Sequence, residues 1–273
     1  MSYRAIGVYR EPEYSPGKIA DDAAILDAVL AELSREGVET SAIEAAAFGA
    51  SPIPTPHLVL AMCQGESALR RLAEAEQAGA IALNSALAIR NCYRDLLAQG
   101  LARAGVPTPA GALVPTAPPL DLRVLAGIDL SSPVYVKRGD LHALGADDVQ
   151  WALGRAELEN KLKGFARRAI RFAYVQQEFR GGIVKFYGVS GGAYFSALSE
   201  DREISEAAVR QLSDAAAKAA QVLGLEAWGG DAVLSSGRFA IIDFNDWPSY
   251  SRVRGQAARA IARRALALLS RPR

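Results

Sequence analysis

Residues 229–250 read GGDAVLSSGRFAIIDFNDWPSY. Two largely apolar runs flank a Ser-Ser-Gly turn, the pattern of a β-hairpin. Side chains alternate faces along a strand, so Asp243 and Asn245 point the same way. A three-residue loop over 236–238 sets Asp231 opposite Asp243 on that face. Carboxylates that face each other across strands repel, so the arrangement calls for a cation between them. Mg²⁺ takes hard oxygen ligands in octahedral geometry, commonly one or two carboxylates with phosphates or water completing the shell. Asp231, Asp243 and the carboxamide oxygen of Asn245 supply such a set. The same spacing also permits a polar hairpin face in water, with Asp246 as a turn residue.

Upstream, IVKFYGVSGGAYFSALS (183–199) reads as another hairpin, turning at Gly191–Gly192 and carrying Lys185. VQQEF (175–179) places Gln177, Glu178 and Phe179 where an apolar strand ends. Backbone groups there suit the edge of a planar base between apolar neighbours. PVYVKRGD (133–140) ends a strand on Lys137 before a polar loop, a position from which an ammonium can reach phosphates as a point charge. A solvated surface lysine is the plainer alternative. Helices are expected over 147–171, 203–223 and 255–270, their charges spread around buried apolar stripes.

The first part of the chain alternates differently. Strands are expected at 5–10, 38–45, 56–64 and 80–84, with helices at 19–35, 67–79 and 85–105. This alternation predicts a parallel sheet covered by helices. The proline-rich segment 107–121 cannot continue a helix and favours extended chain, which puts a domain boundary near Gly111. The expected organisation is α+β. An α/β domain spans 1–111, a small domain 112–178 and an antiparallel-sheet domain 179–273.

In this order the pieces resemble the ATP-grasp superfamily, most firmly from about residue 80 to 250. Residues 83–109 resemble the helix entering the grasp, with Arg94 as the basic residue approaching phosphates. Lys137 resembles the lysine of the small lid domain, and VQQEF the hinge that binds adenine. GGDAV and IIDFNDWPSY resemble the paired metal-binding strands. The local likeness is to inositol-phosphate kinases and to ligases that add glutamate to ribosomal protein and cofactors. The ligases usually carry Glu-x-Asn where this chain has Asp243-Phe244-Asn245, and often Arg where Lys185 stands; both choices here are nearer the kinases. The lid loop 138–148 has only Gly139 and Gly145, fewer glycines than most members.

The resemblance implies ATP and Mg²⁺ as cofactors. It assigns Arg94, Lys137, Lys185, Gln177, Glu178 and Phe179 to the nucleotide, and Asp231, Asp243 and Asn245 to the metal. Lys185 and Arg252 carry the catalytic role. Lys18, Arg252, Arg254 and His142 are the acceptor candidates. A ligase activating a small carboxylate as an acyl phosphate for attack by an amine is favoured, because ligases are common in the superfamily and no dense cationic pocket is evident. A small-molecule kinase is the alternative, and a non-catalytic ATP-binding regulatory module the second.

Composition bounds the partners. The 273 residues hold 31 Lys and Arg against 30 Asp and Glu, a formal net charge of +1, which is no footprint for nucleic acid or an anionic membrane. A small-molecule acceptor is expected, and homo-oligomerisation is left open. Cys63 and Cys92 form no CxxC pair and read as packing residues. The start has no apolar core of a signal peptide, and no run is long enough to span a bilayer, so a soluble cytoplasmic protein is expected.

Overall fold

Strands and helices alternate over residues 4–83, as the apolar pattern predicts. The computed structural model describes residues 3–50, 55–201 and 203–270. The order is β1 (Arg4–Val8), α1 (Ile19–Arg35), β2 (Glu39–Ile43), α2 (Ala45–Ala50), β3 (Leu58–Ala61), α3 (Glu66–Gln77) and β4 (Ile81–Leu83). The strands form a parallel sheet in the order β2-β1-β3-β4. β3, Leu-Val-Leu-Ala, is buried throughout, as a central strand covered on both faces must be. The short α2 falls where the sequence reads as the end of a strand. Ala45 and Phe48, one turn apart, are its buried positions.

The expected helix over 85–105 is two helices, α4 (Ala86–Asn91) and α5 (Arg94–Arg103). Tyr93 adopts an extended conformation between them, and its hydroxyl donates to Gln64 O at 2.8 Å. The interruption makes Arg94 the first residue of α5.

The second sheet comprises β5 (Gly111–Pro115), β6 (Val134–Arg138), β7 (Val149–Ala152) and β8 (Phe172–Gln177), antiparallel in the order β5-β8-β6-β7. Helix α6 (Gly154–Arg167) covers one face through Leu158, Leu162 and Phe165. It starts later than the charge pattern predicts, because 149–152 pair with β6, where Trp151 stands opposite Tyr135. Such an aromatic cross-strand pair favours the strand.

The third sheet holds β9 (Gly182–Val189), β10 (Tyr194–Leu198), β11 (Ala227–Ser235) and β12 (Arg238–Asp246) in the order β10-β9-β11-β12, all antiparallel. Helix α7 (Glu206–Leu223) packs on one face together with α4 and α5, around Phe186, Trp228 and Phe244. The closing helix α8 (Arg254–Leu269) packs on α1, so that Trp247 and Tyr250 share one core with β1 and β3. Among the described residues, no helix is long and apolar enough to cross a membrane.

Asn84 locks the first sheet to the third. It is fully buried; its Nδ2 donates to Ala227 O at 2.7 Å, and its Oδ1 accepts from Glu226 N–H at 2.7 Å and Ala227 N–H at 3.0 Å. Asn84→Ala strands the buried Ala227 N–H and the partly buried Glu226 N–H and is expected to cost about 3 kcal/mol. Urea unfolding of both proteins measures it, and a loss under about 0.5 kcal/mol would deny Asn84 this role.

Candidate functional site

Lys185, Asp231 and Asp243 stand in register across β9, β11 and β12. Residues directly opposite in an antiparallel sheet share a face, so the three side chains meet. The hairpin that brings the two acids together differs from the expected one. Its loop has two residues, Ser236 and Gly237, with φ of 44° and 79°, the backbone of a type I′ turn. A β-bulge between Asp231 and Ala232 then shifts the register, so that Ala232 faces Ile241 while Asp231 faces Asp243. Ile242 is the extra residue.

Cations from three directions neutralise the pair. Lys185 Nζ lies 2.9 Å from Asp231 Oδ1. Arg94 Nη1 lies 3.5 Å from Asp243 Oδ1, and Arg94 Nε is sealed from solvent without a hydrogen-bond partner. Lys137 Nζ donates to Gln176 Oε1 at 2.8 Å and to the bulged Ile242 O at 3.0 Å. Burial opposes the charge on Lys185, but Asp231 outweighs it and holds the ammonium above its ordinary range. Burial likewise opposes ionisation of Asp243, and Arg94, His142 and Lys137 together hold its carboxyl below the usual value. For Lys137 the balance goes the other way: burial, with Arg94 close by, outweighs Asp243 and Asp231 and pushes it down to about 8.

Asn245 stands beside the two acids, its Nδ2 donating to Asp243 Oδ2 at 3.4 Å. Among the described residues, no group of three or more His, Cys, Asp or Glu side chains could hold a metal by itself. Two facing carboxylates and an amide oxygen do fit an ion that draws its other ligands from phosphates and water. In the chain alone, Lys185 and Arg94 supply the positive charge that such an ion would bring.

Cavities open on both sides of this junction. The first, about 480 Å³, is walled by Tyr135, Lys137, Gln177, Glu178, Phe179 and Ile242, with further apolar residues. The N–H groups of Gln177 and Glu178 donate to Ala110 O at 2.7 Å and Pro133 O at 3.0 Å. The second, about 290 Å³, is lined by Lys18, Gln64, His142, Lys185, Asp231 and Asp246 among others. A third cavity, about 500 Å³, lies between α7 and the β9–β10 turn. Its charged pair is already closed, Arg264 donating to Glu226 at 2.6 and 2.9 Å, and it contains none of the residues above.

The acceptor candidates separate. Lys18 and His142 line the second cavity, whereas Arg252 is paired with Glu200 and Arg254 with Asp21 at 2.6 Å, and neither lines it. Sequence reading missed Arg10, Gln64 and Asp246. Arg10 follows β1 and donates to Met62 O, Asp22, Asp246 O and Trp247 O. Gln64, just past β3, donates to Asp246 Oδ1 at 3.0 Å. Both stand beyond the carboxyl ends of parallel strands, where ligands bind in open α/β sheets. That rule was the signal available for them. Asp246 reads as a turn residue, yet it is 1 % exposed, and burial pushes its carboxyl up to about 6.

No protein-family model matches the chain, and no curated protein matches its sequence. Solved structures do match its fold. D-alanine–D-alanine ligase from Bacillus anthracis, complexed with ATP, superposes with a TM-score of 0.74 at 12% identity, over 98% of this chain and 98% of that one. D-alanyl-alanine synthetase A from Vibrio cholerae gives 0.75 at 8% identity over 99% of each. The parallel sheet and the two antiparallel sheets are those of this architecture, and the chain has the ATP-grasp fold.

Proposed function

We propose that the chain is an Mg-ATP-dependent ligase that activates a small-molecule carboxylate for attack by an amine. The observation that carries this reading is the Asp231–Asp243 pair, ringed by Arg94, Lys137 and Lys185 and set between two cavities. The 480 Å³ cavity, with its apolar walls and Lys137 at its inner end, takes the nucleotide base and phosphates. Asp231, Asp243 and Asn245 would hold magnesium, which supplies charge neutralisation at the phosphate oxygens. Domain 112–178 covers the nucleotide from one side and domain 179–273 from the other.

Phosphoryl transfer is mostly positioning and charge stabilisation. Arg94, Lys137 and Lys185 stabilise charge on the phosphates from three sides. An acceptor carboxylate oxygen bonds to the γ-phosphorus as the bond to ADP breaks. The amine nitrogen then bonds to the acyl carbon, phosphate leaves, and the nitrogen loses a proton. A kinase would stop after the first transfer. The Asp-x-Asn motif and Lys185 favour that second reading, while the 290 Å³ cavity, where Asp22, Asp231 and Asp246 match Arg10, Lys18 and Lys185, lacks the excess of cations that a polyphosphorylated acceptor needs. ADP release that requires both a carboxylate and an amine supports the ligase; release with a single polyol supports the kinase.

Asp243→Asn and Asp231→Asn are each expected to lower Mg-dependent ATP turnover by roughly 100-fold or more while the far-ultraviolet dichroism stays unchanged. Turnover within about twofold of wild type would remove these residues from the metal.

Lys137 yields a prediction with opposite signs for stability and binding. Its pKa falls from 10.5 to about 8 on folding, so the folded state binds fewer protons between those values. The buried ammonium therefore destabilises the chain below pH 8, and that penalty disappears as pH rises from 8 to 10.5. Lys137→Met is expected to stabilise the ligand-free protein by about 2 kcal/mol near pH 7, after loss of two hydrogen bonds, with the advantage vanishing near pH 10. The same variant is expected to bind ATP roughly tenfold or more weakly. Denaturant unfolding at both pH values and ATP titration measure the two effects; equal stability at neutral pH, or unaltered ATP affinity, contradicts the assignment.

A further inference from the structure

Lys137 differs from the other two cations of the site in what holds it. Lys185 is paired with Asp231 at 2.9 Å, and Arg94 lies 3.5 Å from Asp243. Among the described residues, the Lys137 ammonium makes no salt bridge. Lys137 is 7 % exposed, and the two acceptors of its ammonium are both neutral: Gln176 Oε1 at 2.8 Å and the Ile242 carbonyl at 3.0 Å. An ammonium only donates, so the amide oxygen of Gln176, not its nitrogen, must face it. Gln176 is itself buried. It stands opposite Tyr135 on β6, which puts it diagonally from Lys137 on the same face of the second sheet. Gln177 points the other way, where its side chain accepts from Asp129 N–H at 2.9 Å and donates to Pro133 O at 3.0 Å. Of the two adjacent glutamines, only Gln176 reaches Lys137.

We propose that Gln176 is a positioning residue for the nucleotide phosphates, aiming the Lys137 ammonium without neutralising it. The role presupposes that the 480 Å³ cavity, which both residues line, takes the nucleotide. An ammonium carries three donors on a flexible four-carbon stem. Its two acceptors come from different sheets, Gln176 Oε1 from the second and Ile242 O from the third. They fix two of the donors and leave one for a ligand. The chemistry of residue 176 decides how much charge that donor brings. A carboxylate there would also accept, but it would pair with the ammonium and cancel the charge that phosphates attract. An aliphatic side chain would keep the charge but leave Ile242 O alone to hold a stem free to swing. A carboxamide oxygen gives direction and leaves the charge whole.

The test is a double-mutant cycle on the full chain, read by titration with Mg-ATP. Gln176→Met keeps the length of the side chain and is expected to weaken ATP binding about threefold to tenfold. Gln176→Glu is expected to weaken it further. Beside Lys137→Met, Gln176→Met is expected to change ATP affinity by less than about twofold, because its effect runs through the ammonium. Adenosine, titrated as a competitor of ATP, carries no phosphate and is expected to bind every variant as it binds wild type. A role in packing alone would lower affinity equally in both backgrounds. The pH profile adds a sign. Arg94 on α5, Asp231 on β11 and Asp243 on β12 surround Lys137, with Tyr174 opposite it on β8, and none of them is altered. ATP affinity falls at high pH as the ammonium loses its proton. A carboxylate at 176 favours the charged form, so Gln176→Glu is expected to move that fall to higher pH. The assignment is overturned if Gln176→Met binds ATP as wild type does, if its loss persists undiminished beside Lys137→Met, or if adenosine binding falls in step. If Gln176→Met does not fold, Gln176→Glu decides through adenosine and the pH profile. If wild type does not bind Mg-ATP, the nucleotide reading fails and the role with it; if it does, and Lys137→Met alone weakens binding, only the assignment of Gln176 fails.

Discussion

Two carboxylates forced onto one face of a paired strand set the terms for everything around them. At the cross-strand separation of about 5 Å, and at the dielectric effective in proteins, like charges repel by roughly 3 kcal/mol. The chain brings positive charge to that point from separate elements: Arg94 from the start of α5, Lys137 from β6 and Lys185 from β9. Only Lys185 is the acids' neighbour in the same sheet. The other two depend on how α5 and the second sheet dock against the third.

Those dockings differ in kind. The first and third sheets share a hydrophobic core, in which α1 and α8 pack together with Trp247 and Tyr250. Asn84 and Trp247 add buried hydrogen bonds across the junction, the Trp247 indole donating to Leu83 O at 2.8 Å. The second sheet has its own core around Leu158, Phe165 and Val175. At the site it meets the third sheet through Lys137, which donates to Ile242 O, with Tyr174 close to Leu97, Leu101 and Ile242. Polar interfaces between separate cores yield more readily than shared apolar ones. Lys137 and His142 are thus carried by a unit with a core of its own.

Much of the fold was legible in the sequence because burial there follows a simple period. Helix α1 occupies 19–35, and the turn at Gly191–Gly192 joins β9 to β10, both where the pattern puts them. What failed did so for tertiary reasons. The break at Tyr93 has no local signal, since no proline or glycine stands there; the partner that favours it, Gln64 O, lies 29 residues away. Strand β7 was absorbed into a helix because its pairing with β6 is invisible from charge alone. Among the site residues, Lys185, Asp231, Asp243 and Asn245 were readable from strand patterns, whereas Arg10, Gln64 and Asp246 gain their environment only when the first sheet meets the third. Arg252 and Arg254 show the converse: nearness in sequence to β12 does not place them on the cavity.

The bulge at Ile242 shows how closely site and fold are tied. A two-residue turn at Ser236–Gly237 pairs Ser235 with Arg238, and uninterrupted pairing from there would set Asp231 against Ile242 and Asp243 against Gly230. Adjacent positions on a strand point to opposite faces, so Asp243 would then face away from Asp231. One extra residue restores the pairing, because a bulge sets two residues against one. It also leaves the Ile242 carbonyl to accept from Lys137. A three-residue loop would align the acids equally well, but with no irregularity at Ile242 to offer that carbonyl. The tight turn and the bulge therefore act as a unit: together they place both carboxylates on one face of the sheet and provide the second sheet's lysine with a fixed acceptor beside them.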